Sequence, residues 1–234
     1  MKNKFGIINF SNNCYLNVII QLFLSYKCTS NIISHYLDFK KNSNNNIIIN
    51  PKKLLDLLKE KININTQNDS QETFIQILDK IPKLEKFFFN KLRNLYRCTR
   101  CNKIRLKEET FSTFYIYGNS LEESVKQTIM SEEFELECEN CKMTTKTIKQ
   151  SKILSISDIL IFHNVIKNKI TITENIKFNN NVYKLTGIIK HYGNESSGHY
   201  IFIDYINKII IDDTSISSLE NLSCDNIYLL FYTI

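Results

Sequence analysis

The sequence predicts an α+β domain, with helices gathered in its first part and strands in its last. Up to about residue 90, apolar side chains recur at helical spacing, as in Leu54, Leu55, Leu57 and Leu58, or Phe74, Ile77, Leu78 and Ile81. From Leu92 onward, short β-branched and aromatic runs take over. Two Cys-x-x-Cys pairs, Cys98 with Cys101 and Cys138 with Cys141, mark a small metal-binding unit in between. Helices first and strands later favour α+β over an alternating α/β design.

Each element has a local reason. Residues 15–24 form a compact apolar helix with Cys14 at its N-terminal edge. Pro51 suits the start of a second helix, where its fixed φ and missing N–H cost nothing. Asp69 or Ser70 caps a third helix, which stops at Pro82. Strands are expected at 111–117, 153–156, 159–163 and 170–172, with a helical insert at 121–129. The last 60 residues read as strands at 183–190, 199–205, 208–211 and 226–232. Residues 42–46 read as a loop, and no internal repeat is visible.

With 234 residues, 43% of them hydrophobic, the chain can bury a sizeable core. The net charge of +6 comes from scattered Lys in a chain crowded with Asn, Ile and Lys, so it reads as compositional bias. A nucleic-acid footprint would concentrate on one face. Tyr96, Arg97, Arg100 and Arg105 lie near the first cysteine pair. The second is flanked by Glu132, Glu133, Glu135, Glu137 and Glu139, which would repel phosphates. No nucleic-acid partner is expected. Residues 18–24 are too short for a membrane span, and no secretory leader is visible, so no membrane partner is expected either. Seven cysteines cannot all pair within one chain. A reducing compartment, cytoplasmic or nuclear, is the expectation.

In that setting, cysteines are catalysts or metal ligands more often than cross-links. Cys14 at a helix start sits near unpaired N–H groups and a partial positive charge, which would lower its pKa and favour the thiolate. A lone cysteine before an apolar helix is still more often a structural thiol, so its neighbours decide. Asn9, five residues upstream, could donate its side-chain amide to a developing oxyanion beside the Cys14 N–H. His199, between Gly198 and Tyr200, leads into a strand pattern ending at Asp212-Asp213. Adjacent strands would bring the imidazole to Asp212 or Asp213, which would fix its tautomer. His191 is the competing histidine.

The two Cys-x-x-Cys pairs supply four thiolates, the tetrahedral set of a closed structural Zn²⁺ site. Each pair suits a tight hairpin turn, and two such turns form a zinc ribbon. Cys28 and Cys224 fall outside both sets and are expected to be buried, inert thiols.

Three boxes resemble the ubiquitin-specific protease family of deubiquitinating enzymes. The first runs Gly6-Ile7-Ile8-Asn9-Phe10-Ser11-Asn12-Asn13-Cys14-Tyr15-Leu16-Asn17, continuing to Gln21. The second runs Gln67-Asn68-Asp69-Ser70-Gln71-Glu72-Thr73-Phe74. The third collects Tyr183-Lys184-Leu185, Ile188-Ile189-Lys190-His191-Tyr192-Gly193, Gly198-His199-Tyr200 and Asp212-Asp213. Ile159-Leu160-Ile161-Phe162-His163 adds a fourth, strand-like match before Asn164 departs from the family's Leu-Lys-Arg-Phe-like run. Ser11 and Asn13 also depart, replacing a glycine and a threonine.

The resemblance implies a papain-like hand: a helical thumb over about 1–90, β fingers with the zinc ribbon over about 91–152, and a strand palm over about 153–234. It implies Cys14 as nucleophile, His199 as base, Asp212 as orienting residue with Asp213 as its substitute, and Asn9 as oxyanion donor. Asp69 and Glu72 would face the basic tail of ubiquitin, and the loop from Gly193 to Gly198, with Tyr200, would wall the tail channel. Ubiquitin and ubiquitinated proteins are the implied partners of a monomeric cysteine deubiquitinase. An inactive ubiquitin-binding scaffold of the same fold is the alternative.

Overall fold

The computed structural model describes residues 5–41, 47–118, 120–166, 169–178, 180–194 and 197–234. The expected loop at 42–46 lies outside them. Five α-helices occur among these residues: α1 (Cys14–Ser25), α2 (Lys27–Ile33), α3 (Lys52–Leu58), α4 (Ser70–Lys80) and α5 (Leu121–Thr128). Four of the five precede residue 90: α1, α3 and α4 answer the three helices expected there, and α2 is an addition.

Helix α1 is buried on every side, from Cys14 to Phe23. A helix apolar all round belongs inside a protein, not on its surface. It packs against α2, α4 and the strand Gly198–Asp204. Phe23 of α1, Phe74 of α4 and Phe88 after the following 3₁₀ turn form a ring cluster, with centroids 5.1 to 5.9 Å apart. Helix α3 starts after Pro51, and α4 is capped by Asp69, whose Oδ1 accepts the N–H groups of Gln71 and Glu72.

Three sheets form among the described residues. The largest runs in the order Ser215–Ser218, Ile209–Asp212, Gly198–Asp204, Asn181–Gly193, Ile227–Thr233, Ile159–Asn164, Thr113–Ile116, with Asn175–Phe178 also on Asn181–Gly193. Its neighbours are antiparallel except for the last pair, Ile159–Asn164 with Thr113–Ile116. Strand alternation divides its side chains between two cores. Ile189, Tyr200, Phe202, Ile211, Leu229 and Phe231 face the helices, while Ile188, Ile203 and Leu230 face a second cluster containing Leu121 of α5. The second sheet has four antiparallel strands in the order Ile104–Phe111, Asn90–Cys98, Met143–Ser155, Glu132–Cys138, and its turns carry the paired cysteines.

The third sheet is a small addition to the mostly helical first 90 residues. Gly6–Ile7 pairs in parallel with Ile47–Asn50, which pairs antiparallel with Asp38–Lys41. The strand expected at 170–172 is absent: Ile170 is buried in the second core, but this stretch joins no ladder. Apolar residues there reflect burial without pairing. Cys28 is exposed on α2 and Cys224 is half-buried, which corrects the expectation that both are buried.

Because Phe74 touches both other rings of the cluster, Phe74→Ala should cost about 3–5 kcal/mol of stability. Chemical denaturation would read this as a lower midpoint with an unchanged slope. A cost under about 1 kcal/mol would mean that the cluster does not tie α1 to α4.

Candidate active site and four-cysteine site

Cys14 opens α1 and is 3% exposed. The preceding Asn13 does not cap the helix with its side chain, which turns back along the N-terminal segment. The first N–H groups of α1 therefore stay unclaimed by a cap beside the sulfur. Burial nevertheless dominates the thiol. Desolvation raises its pKa above the ordinary 9.0, and the Asp213 charge adds to this. Hydrogen bonds from the backbone of Tyr200, Tyr15 and Cys14 itself lower it by less. The expectation of a lowered pKa is thus reversed, because the helix end sits inside the core and out of water.

His199 and Asp212 meet as the strand pattern predicts. His199 Nε2 lies 2.6 Å from Asp212 Oδ1, and both side chains are partly open to solvent. Among the described residues, no hydrogen bond joins this ring to Cys14 Sγ. The acid–base pair is assembled without a hydrogen bond to the thiol.

Asp213 goes elsewhere. With φ of 48° it occupies the left-handed region. Its Oδ2 accepts from Asn9 Nδ2 at 2.7 Å, and its Oδ1 accepts from Asn17 Nδ2 at 2.7 Å. Its carbonyl also takes the N–H of Ile7. Asn9 Oδ1 accepts the N–H of Asn13 at 3.1 Å, so the Asn9 amide is oriented at both ends.

A cavity of about 300 Å³ opens beside Cys14, lined by Gln67, Asn68, Asp69, His191 and Tyr200 among others. Among the described residues, His191 rather than His199 stands on its wall. His191 is buried, and its ring stacks on Tyr200 at 4.3 Å. Its Nε2 also lies under Gly198, where an added Cβ would come within 2.2 Å of it. That contact and the Tyr192 carbonyl, which the same Cβ would meet at 2.6 Å, require glycine at 198. Gln67 grips the same glycine from the thumb side: its Oε1 accepts the Gly198 N–H at 2.7 Å, and its Nε2 donates to the Gly198 carbonyl at 2.8 Å.

Asp69 does more than cap α4. Its Oδ2 accepts from the Tyr228 hydroxyl, whose ring packs against His163 and Tyr200. Glu72 is exposed in the first turn of α4. Tyr200 is 7% exposed, part of both the cavity wall and the helix-side core. Of the expected channel loop, Glu195 and Ser196 lie outside the described residues. Sequence reasoning quoted Gln67 and Asn17 within boxes but gave them no task. It missed Tyr228 entirely, and nothing local to Tyr228 signals a partner at Asp69.

The four paired cysteines converge at the ends of two hairpins. Their sulfurs all lie within 4.8 Å of one another. Cys98 to Cys141 is 3.9 Å and Cys101 to Cys138 is 3.7 Å. A tetrahedron with metal–sulfur bonds of about 2.3 Å has edges of about 3.8 Å, so the cluster fits one tetrahedral cation. Asn102 and Lys142, just after each pair, take φ of 57° and 55° and turn the chain back into its hairpin. The thiols of the cluster shift in opposite directions: Cys98 is lowered to about 6, chiefly by the Thr145 hydroxyl and then by the N–H of Cys101, while Cys141 is pushed up to about 12, chiefly by its contact with Cys101.

Together these features place a buried thiol at a helix start, a His–Asp pair on neighbouring strands and a separate four-cysteine cluster in one fold. The family model described as ubiquitin carboxyl-terminal hydrolase matches residues 5–232. The chain belongs to that family and is a cysteine-type ubiquitin hydrolase. A comparison with curated proteins gives no match. Among solved structures, the chain is similar to the SAGA DUB module Ubp8/Sgf11/Sus1/Sgf73 bound to monoubiquitin, with a Cys→Ala change in Ubp8. That match has a TM-score of 0.76 at 21% identity and covers 99% of this chain and 69% of that one. The same module bound to ubiquitin aldehyde matches with a TM-score of 0.74 at 20% identity, covering 99% and 70%. These likenesses carry the fold: helical thumb, β palm and cysteine ribbon. No described helix is long and apolar enough to cross a membrane.

Because burial holds the Cys14 thiol above its ordinary value, the neutral thiol prevails at physiological pH in the free protein. Alkylation of Cys14 by iodoacetamide, followed by peptide mass spectrometry, should keep accelerating as pH rises past 9.0. A rate already level at neutral pH would overturn this.

Proposed function

We propose that the chain cleaves the bond after the C-terminal glycine of ubiquitin through Cys14, His199 and Asp212, by way of an acyl-enzyme. The observation that carries this reading is the 2.6 Å contact of His199 with Asp212 on neighbouring strands, the first of which packs against the Cys14 helix. Asp212 holds Nε2, which leaves Nδ1 as the ring nitrogen that takes the thiol proton. The thiolate attacks the glycine carbonyl carbon. The oxyanion accepts from the Cys14 N–H and the free N–H of the Asn9 amide. Collapse of the intermediate expels the amine, which takes the proton from His199. Water then attacks the thioester, gives its proton to His199, and releases the ubiquitin carboxylate and the Cys14 thiol.

Several features support this assignment. Asp212 and Asp213 have different partners, so they serve as triad acid and Asn9 anchor respectively. Because no hydrogen bond joins thiol and imidazole among the described residues, their contact forms on substrate binding in this reading. The Gln67 grip on Gly198 ties the thumb to the strand that carries His199. Asp69 and Glu72, at the start of α4 beside the cavity, offer negative charge to a basic tail. In this reading the divisions at about residues 90 and 152 separate thumb, fingers and palm, and the ribbon holds one structural Zn²⁺. Four protein ligands leave that ion no open position, so it stabilises the hairpin tips and takes no part in cleavage.

Ubiquitin bearing a C-terminal electrophile should form one covalent adduct on the wild type and none on Cys14→Ala. His199→Gln should abolish turnover, whereas His191→Gln should retain it, with altered KM from the cavity wall. If His191→Gln is inactive while His199→Gln turns over, the base assignment is overturned in favour of His191.

Elemental analysis should find one Zn²⁺ per chain. Its removal by a chelator should lower the melting temperature and leave Cys14 alkylation unchanged. An unchanged melting temperature after verified metal loss would remove the structural role.

A further inference from the structure

The N-terminal segment that carries Asn9 is held by polar side chains on one face of α1. Asn13, Asn17 and Gln21 are four residues apart and buried, with exposures of 2%, 2% and 6%. Gln21 Nε2 donates to the Phe5 carbonyl at 2.6 Å, and Asn13 Nδ2 to the Ile8 carbonyl at 3.1 Å. Buried amides at this spacing on an otherwise apolar helix need a reason, since each carries the cost of taking a polar group out of water.

Four residues close a ring. Asn9 Nδ2 donates to Asp213 Oδ2, and Asn17 Nδ2 donates to Asp213 Oδ1, each at 2.7 Å. Asn13 Nδ2 donates to Asn17 Oδ1 at 2.9 Å, and the Asn13 N–H returns to Asn9 Oδ1 at 3.1 Å. Every amide orientation in the ring is fixed by its neighbours. The Asp213 carboxylate accepts from both sides, so removing one donor frees it to rotate or to draw the other donor away.

We infer that Asn17 is a positioning residue for cleavage: it locks the Asp213 carboxylate, which in turn aims the Asn9 amide at the oxyanion. Asn17 touches no reacting atom. It acts through Asp213 on Asn9, across the join between α1 and the strand ending at Asp212. This rests on the proposed reading of Asn9 as oxyanion donor. The ring places one N–H of that amide on Asp213 and leaves the other for the substrate. Since the oxyanion exists only after attack, the loss falls on kcat and spares ubiquitin binding.

A double-mutant cycle with ubiquitin carrying a C-terminal aminocoumarin amide tests this. Asn9→Ala should lower kcat by about 10²–10³, the usual cost of one oxyanion donor. Asn17→Ala should lower kcat by at least about tenfold, with KM and ubiquitin affinity little changed. In the Asn9→Ala background, Asn17→Ala should cost nothing further, because the group it aims is gone. The same loss in both backgrounds, or wild-type turnover in Asn17→Ala, would overturn the inference while leaving Asn9 in its role. A wild-type kcat in Asn9→Ala would overturn the oxyanion reading itself, and Asn17 with it. If Asn17→Ala does not fold, Asn17→Ser keeps a small polar group at the site and carries the same expectations.

Discussion

The site depends on one backbone event, the left-handed turn at Asp213. In a strand, adjacent side chains point to opposite faces, so consecutive aspartates cannot share a partner. Asp212 ends its strand on the same face as His199. At Asp213 the chain turns to φ of 48° and sends the next carboxylate to the N-terminal segment. One dipeptide thereby serves both sides of the cleft. Its first carboxylate holds the His199 imidazole, and its second anchors Asn9 and Asn17. Gly6 passes so close to the following residue that an added Cβ would lie 2.8 Å from the Thr214 backbone. The N-terminal segment is thus fitted onto this turn.

The thiol shows how two electrostatic effects of opposite sign are decided by place. A helix N-terminus favours the thiolate by a few tenths to about 1 kcal/mol in exposed settings. Burying a charge costs more than that. Cys14 is buried, so the neutral thiol is the ground state. Substrate that brings the imidazole within reach would convert a buried thiol into half of an ion pair.

The four-cysteine ribbon is organised independently. Its geometry comes from two hairpin turns and the spacing of the sulfurs, and among the described residues it shares none with the lining of the Cys14 cavity. That independence explains its legibility. Cys-x-x-Cys in a turn brings two sulfurs together whatever the rest of the chain does, and only the meeting of the two turns needs the sheet. Helix α1 was legible for a similar reason: a continuous apolar run fixes both its conformation and its burial.

The sequence by itself determined the α+β order, the helix starts at Cys14 and Asp69, the metal-type cysteine set, and the candidates Cys14, Asn9, His199 and Asp212. These follow from local spacing, capping and turn chemistry, and from three boxes whose residues lie close together in the chain. The small sheet at the N-terminus was not legible, because two-residue and four-residue strands leave no periodicity. Nor was the partition of Asp212 and Asp213 between His199 and Asn9, the Tyr228 contact to Asp69, or the Gln67 grip on Gly198. Each joins residues far apart in sequence, and which atoms meet is set by register and packing. The direction of the Cys14 pKa belongs to the same class. A helix end is visible in a string of residues, but its depth below the surface exists only once the chain is folded.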